Sequence, residues 1–237
     1  MLQKSVSIAI VGSLVLTGCA TTSQNPDTVR ANQQKYEQAT YRIVHQDKVG
    51  GADLILRELT NKPEDHLTIV TRGKTAAASS LMLVGIVATK GMYTGGSFKK
   101  DQLKGKILEP KLKSTVLDQA KPAFANWLAT NHDSITPKDK PITKMTVTAG
   151  RFSLIYGKLV GAEAYELNTD LGINIQTNWN NDTAYKYLCD IRSNAKTLDE
   201  WKKDNYRAVE SAIASNIQSC LNELNGKKGE ILRHLSK

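Results

Sequence analysis

The clearest periodicity along the chain lies near its C-terminus. Leu198, Trp201, Val209, Ile213, Ile217, Cys220, Leu221 and Leu224 fall on a three-and-four spacing, with polar residues between them. That spacing gathers them on one face of an amphipathic helix. Thr197 and Glu200 have the spacing of a capping box at its start, and Gly226 suits its C-terminal cap. Cys220 falls on the apolar face. A second stripe runs from Ile107 to Asn131 through Leu108, Leu112, Val116, Ala120, Phe124, Trp127 and Leu128. Here Pro110 suits a first helical turn, and Pro122 predicts a kink or break near Ala120. The uncharged run Thr75 to Thr89 predicts a buried helix, followed by a loop at Gly91, Gly95 and Gly96.

Elsewhere the pattern shortens to a period of two. Tyr41 to Val44 and His66 to Thr71 read as strands. Asp53 to Leu59 fits either a short helix after Gly50-Gly51 or one arm of a hairpin. Lys144–Ala149, Phe152–Tyr156, Ala164–Thr169 and Leu171–Thr177 predict an antiparallel meander, with turns or bulges at Gly150, Gly157, Gly161 and Gly172. Tyr185 to Ile191 adds a strand that carries Cys189. The tail from Lys227 is basic and expected to fray, although Ile231, Leu232 and Leu235 can add a helical turn. Sheet followed by helix predicts an α+β fold: an antiparallel sheet with a long C-terminal helix packed on it, plus a central helical segment.

The N-terminus has a different character. One cation, Lys4, precedes an apolar run from Val6 to Leu16, and small residues then lead to a cysteine. This is the layout of a secretory signal peptide, and the run is too short to span a membrane. Leu16-Thr17-Gly18-Cys19 resembles the lipobox of bacterial lipoproteins. The resemblance covers residues 1–19 only. It implies cleavage before Cys19, acylation of that cysteine, and anchoring to a lipid bilayer, each buried methylene contributing about 0.8 kcal/mol. By the same resemblance Ala20, in place of an aspartate, points to the outer membrane, facing the periplasm; the inner membrane and the cell surface are the alternatives. The expected organisation is a signal peptide over 1–18, a flexible polar tether over 19–35, and one α+β periplasmic domain over 36–237.

Export changes how the remaining cysteines read. With Cys19 set aside, Cys189 and Cys220 are an even pair in an oxidising compartment, which suggests a disulfide; two buried free thiols are the alternative. There is no CxxC spacing for redox chemistry.

The chain carries 32 basic and 23 acidic residues, and loss of Lys4 leaves the mature chain at +8. In an envelope the available polyanions are lipid phosphates, lipopolysaccharide and peptidoglycan carboxylates, so nucleic acid is not an expected partner. Lys99, Lys100, Lys104 and Lys106 lie close together and are candidate contacts for an anionic ligand. The 75–96 segment, with Gly91-x-x-x-Gly95, reads first as core and second as a membrane or partner contact.

Catalytic motifs are weak. Gly73-Lys74-Thr75 echoes the end of a phosphate-binding loop but has Thr68 where the earlier glycine is required. His132-Asp133-Ser134 has triad residue types in a row, whereas a working triad converges from separate elements. The four histidines are far apart in sequence and lack metal-ligand spacing. The expectation is therefore a non-enzymatic lipoprotein with no metal or cofactor, which binds an envelope protein partner or assists assembly. Binding of an anionic envelope ligand is the alternative, and a hydrolase the least expected.

Overall fold

The structure, a computed structural model, describes residues 41–60, 65–73, 105–158, 160–177 and 184–237. Residues 75–96 and everything before Tyr41 lie outside them, so the buried helix expected over Thr75 to Thr89 is outside the described residues too.

The first two strands, β1 (Tyr41–Val49) and β2 (Ala52–Leu59), form an antiparallel hairpin. Gly50 and Gly51 make its turn at φ +58° and +87°, a region that only glycine adopts without steric cost. The hairpin arm is thus the correct reading of Asp53 to Leu59. A short β3 (Thr68–Val70) pairs with β4 (Lys106–Ile107). Helix α1 (Val116–Ile135) follows, then the long strands β5 (Ile142–Tyr156) and β6 (Tyr165–Thr177), and then β7 (Tyr185–Arg192). Two helices close the chain: α2 (Leu198–Gly226) and α3 (Lys228–Leu235).

The sheet is mixed rather than purely antiparallel, which corrects the sequence reading. β2 and β3 both run parallel to β5 and share one of its edges in succession, Asp53–Glu58 beside Lys144–Ala149 and Thr68–Val70 beside Ser153–Ile155. β6 takes the other edge along its whole length and hands on to β7. The four short strands expected between Lys144 and Thr177 are two long ones. Across Ala149/Phe152 the pairing slips by one residue, so Gly150-Arg151 form a bulge instead of a turn. That bulge falls where β5 changes partner from β2 to β3. Gly172 also lies inside a strand, opposite Thr148.

Helical expectations need four corrections. The segment before Val116 is not helical, so Pro110 does not lie in a helical first turn. Pro122 sits within α1 without breaking it; as the seventh residue it forfeits a single donor in a helix otherwise held by its packed face. α2 has the predicted capping box but is interrupted: Lys203 is extended and Asp204, Asn205 and Tyr206 are left-handed at φ +49°, +53° and +66°. Burial of Tyr206 and a hydrogen bond from its hydroxyl to the Pro110 carbonyl (2.8 Å) hold this turn in place. Finally, Gly226 is the last residue of α2 and Lys227, not Gly226, is its cap, and the tail is not frayed. α3 follows at once, with Ile231 and Leu235 fully buried. Their side chains contribute about 1.5–3 kcal/mol each, more than fraying entropy at a terminus.

The three helices of the described residues pack on one face of the sheet, α1 against β1, β2 and β5, α2 against β6 and β7, α3 against β7. Leu54, Val147, Phe124, Ile173, Ile213 and Leu224 belong to the single buried cluster that results. The opposite face carries the alternate residues. There Arg57 donates from Nε to Thr148 Oγ1 (2.9 Å), and its guanidinium stacks 3.7 Å from the centre of the Tyr41 ring. Burial lowers its pKa from the ordinary value.

Candidate binding groove between α2 and β7

The large apolar residues of α2 occupy its core face. One flank of the same helix carries only small side chains: Ala208, Ser211, Ala212, Ser215 and Ser219, again three or four apart. This flank faces the end of β7 and the loop 193–196, and small residues there leave a groove of about 480 Å³. That volume lies within the range of small-molecule sites.

Its two walls are fixed differently. On the β7 side, Ser193 is locked: its Oγ accepts from Leu167 N (2.9 Å) and donates to Asn194 O (3.2 Å). Lys196 is anchored by two backbone bonds with Tyr165, of 2.7 and 2.9 Å. Trp201, fully buried, donates from Nε1 to Tyr165 O (2.8 Å) and lends its ring to one end. On the helix side, Asn216 is 5% exposed, and its Nδ2 donates to Thr169 Oγ1 at 2.9 Å and to Ile191 O at 3.5 Å. Its Oδ1 accepts no hydrogen bond from the described residues, nor do Ser215 and Ser219 engage their hydroxyls with them. The groove therefore offers hydroxyls and an amide oxygen in front of the Ala208 and Ala212 methyl groups.

Two cations line this end, Lys196 and Arg192, each with a carboxylate nearby. Lys196 Nζ stands 6.0 Å from the Trp201 ring centre and makes no ion pair with the described residues. Arg192 also lines the groove, 3.9 Å from Glu166. The nearby Glu200 carboxylate is hydrogen-bonded by Thr197 and also feels the Lys196 charge. It accepts from Thr197 N (2.7 Å) and Thr197 Oγ1 (2.8 Å), and these two bonds hold its pKa below the ordinary carboxylate value.

Cys189 and Cys220 lie along the same seam. The structure brings their sulfur atoms to disulfide distance, with Cα atoms 5.6 Å apart and both side chains buried. This pair ties β7 to α2, and so holds the two sides of the groove in register. Among the other expected site residues, Cys19, Lys99, Lys100 and Lys104 lie outside the described residues. Lys106 is exposed on β4.

The remaining candidates do not form a catalytic group. Ser134 donates to the Asn131 carbonyl (2.7 Å) at the end of α1, and His132 Nδ1 contacts Asp133 (3.1 Å). These are local bonds of a helix terminus. Among the described residues no group of three or more His, Cys, Asp or Glu side chains is placed to hold a metal ion, and no helix is long and apolar enough to cross a membrane.

A second concavity, of about 330 Å³, lies beside β1 and the start of α1. Arg42, Glu58, Asp65, Lys113 and Asp118 line it, and Arg42 pairs with Glu58 there. Its charges mostly satisfy one another.

Compared with known protein families, curated proteins and solved structures, the chain matches none. The periodicity of the C-terminal helix marks its apolar face and not the flank that borders the groove. The available signal was Ser211, Ser215 and Ser219, spaced by four beside that face.

Proposed function

We propose that this chain is a lipid-anchored, non-enzymatic binding protein of a bacterial envelope, held at the outer membrane through Cys19 and facing the periplasm. The anchor rests on the lipobox resemblance, and the oxidising compartment is supported by the Cys189–Cys220 pair at disulfide distance. The observation that carries the binding role is the α2–β7 groove, whose hydroxyl and amide lining holds no convergent nucleophile and base. Two experiments test this. Replacing Cys19 with alanine removes lipid labelling and membrane retention; an unchanged membrane fraction would overturn the anchor. Filling the groove with Ser215→Leu abolishes retention of an envelope ligand by the detergent-solubilised chain; wild-type retention overturns the groove as the binding site.

A protein partner is the second reading. β1 has only β2 as a neighbour among the described residues, and Ile43 and Val44 on it are 55% and 39% exposed. An exposed apolar edge strand is a template for strand addition by another chain. Crosslinking in intact envelopes that captures the same partner from wild type and from an Ile43→Lys, Val44→Lys variant excludes this edge.

A further inference from the structure

We infer that β1 is an interface between two copies of this chain, laid edge to edge and antiparallel about a two-fold axis between Val44 and His45. This rests on the β1 edge being the partner site. β1 has β2 on one side only among the described residues, and the adjacent Ile43 and Val44 are exposed near its middle. The identity of the partner follows from the faces and charges of the strand. Arg42 stands opposite Glu58 of β2, and Asp47 stands opposite Leu54. Leu54 is fully buried, and Asp47 pairs with Lys121 of α1 (3.0 Å), so Arg42 and Asp47 both lie on the helical face of the sheet. Ile43 and Gln46 stand opposite Arg57 and Ile55, and lie on the other face.

In an antiparallel pair, residues equidistant from the axis meet and share a face. About an axis between Val44 and His45, Arg42 meets Asp47 of the second copy, Ile43 meets Gln46, and Val44 meets His45. The faces agree throughout, and symmetry forms the Arg42–Asp47 ion pair twice. Both groups have capacity left for it. Arg42 gives Nε and Nη2 to Glu58, and Asp47 gives Oδ2 to Lys121, while Arg42 Nη1 and Asp47 Oδ1 make no bond with the described residues. A shift of two residues either way keeps the faces but sets Arg42 opposite His45 or Val49 of the copy. A shift of one mixes the faces. The slip between Ile43 and His45 leaves Val44 unpaired with β2, and such a bulge makes an edge a poor template for a regular strand. A second β1 brings the same bulge to the same axis. The exposed apolar pair then lies at the centre of the contact and the charges at its rim. A single strand pair is a small interface, and a shared membrane anchor strengthens it by confining two copies to one surface.

The test is made in envelopes with the full chain, expressed with two different tags. Ile43→Cys on one copy and Gln46→Cys on the other are expected to form a disulfide on mild oxidation. The yield should exceed that of Ile43→Cys with itself by about tenfold, because only the mixed pair is directly opposite. Val44→Lys sets two ammonium groups beside the axis and should cut the mixed yield by about tenfold, whereas Val44→Leu keeps it. Val44 is exposed and has no β2 partner, so both variants keep the fold, which circular dichroism checks. Equal yields from the two cysteine combinations, or a mixed yield that Val44→Lys leaves unchanged, overturn self-pairing. If no combination crosslinks while the Ile43→Lys, Val44→Lys variant loses a partner that wild type captures, self-pairing falls and the edge stands as the site of a different chain. If that variant keeps its partner as well, the edge falls with it.

Discussion

Arg72 Nη1 donates to the carbonyl oxygen of Gly161 at 2.9 Å. The same guanidinium also donates to Lys158 O (2.8 Å) and Ala162 O (2.9 Å). One side chain just past β3 thus clamps the connection between β5 and β6. Only a planar fork of donors spans three carbonyls in this way. Arg72→Ala is expected to lower stability by about 1–2 kcal/mol, since these bonds are exposed to water. Arg72→Lys should recover less than half of the loss. Urea unfolding reads both, and limited proteolysis within 157–164 should speed up in the alanine variant; two variants indistinguishable from wild type would refute the clamp.

Cys189 and Cys220, whose sulfur atoms lie at disulfide distance, are 31 residues apart, so a bridge between them would close a loop of that size. On the chain-entropy account, losing a loop of that size costs about 3–4 kcal/mol. The double variant Cys189→Ala, Cys220→Ala is expected to melt well below wild type, and reductant should lower the wild-type melting temperature without affecting the variant. Thiol titration of unfolded protein extracted from envelopes, finding both thiols free, would remove the bridge.

The left-handed turn inside α2 predicts substitutions of opposite sign at adjacent positions. An L-residue in this region costs about 1–2 kcal/mol, and less for Asp or Asn. Asn205→Gly should therefore stabilise by up to about 1 kcal/mol. Tyr206→Phe keeps the buried ring but deprives the Pro110 carbonyl of its donor, for a loss of about 1 kcal/mol. Thermal unfolding of the two variants separates them. A destabilised Asn205→Gly would show that the turn is held by its side chain rather than by its neighbours.

Glu200 links the helix start to pH. Its folded pKa lies below the ordinary value because Thr197 donates to it twice. A depressed carboxylate pKa contributes stability that is full above the unfolded pKa of about 4.3 and lost as pH falls through the folded one. Acid unfolding of Glu200→Gln should accordingly show a shallower drop below that pH, since glutamine keeps the cap without titrating. Equal acid slopes in the two proteins would contradict this.

Some of this fold was legible in the residues because the relevant forces are local. Thr197 and Glu200 are three apart, so their capping box forms whatever the rest of the chain does. Val209, Ile213, Ile217 and Leu224 share a face by helical geometry alone. Leu171, Ile173 and Ile175 alternate in the same way along β6. The suggestion that Cys189 and Cys220 pair also came from counting, with Cys19 set aside.

What the residues did not show depends on neighbours distant in sequence. Nothing in Asp53–Leu59 says that it will run parallel to Lys144–Ala149, and nothing in Gly150 distinguishes a bulge from a turn. Only the strand on each side of β5 settles both. The break at Asp204–Tyr206 needs the Pro110 carbonyl to receive the Tyr206 hydroxyl, and the buried tail needs α1 and β7 to receive Ile231 and Leu235. The groove has the same origin. Its serines are readable one by one, but a site exists only where the flank of α2 meets β7, Asn216 and Lys196. The sequence by itself determined which side of each element is apolar, because that periodicity is written within a few turns of chain. The tertiary structure alone decided which surfaces meet, because that depends on packing free energy summed over contacts between distant segments.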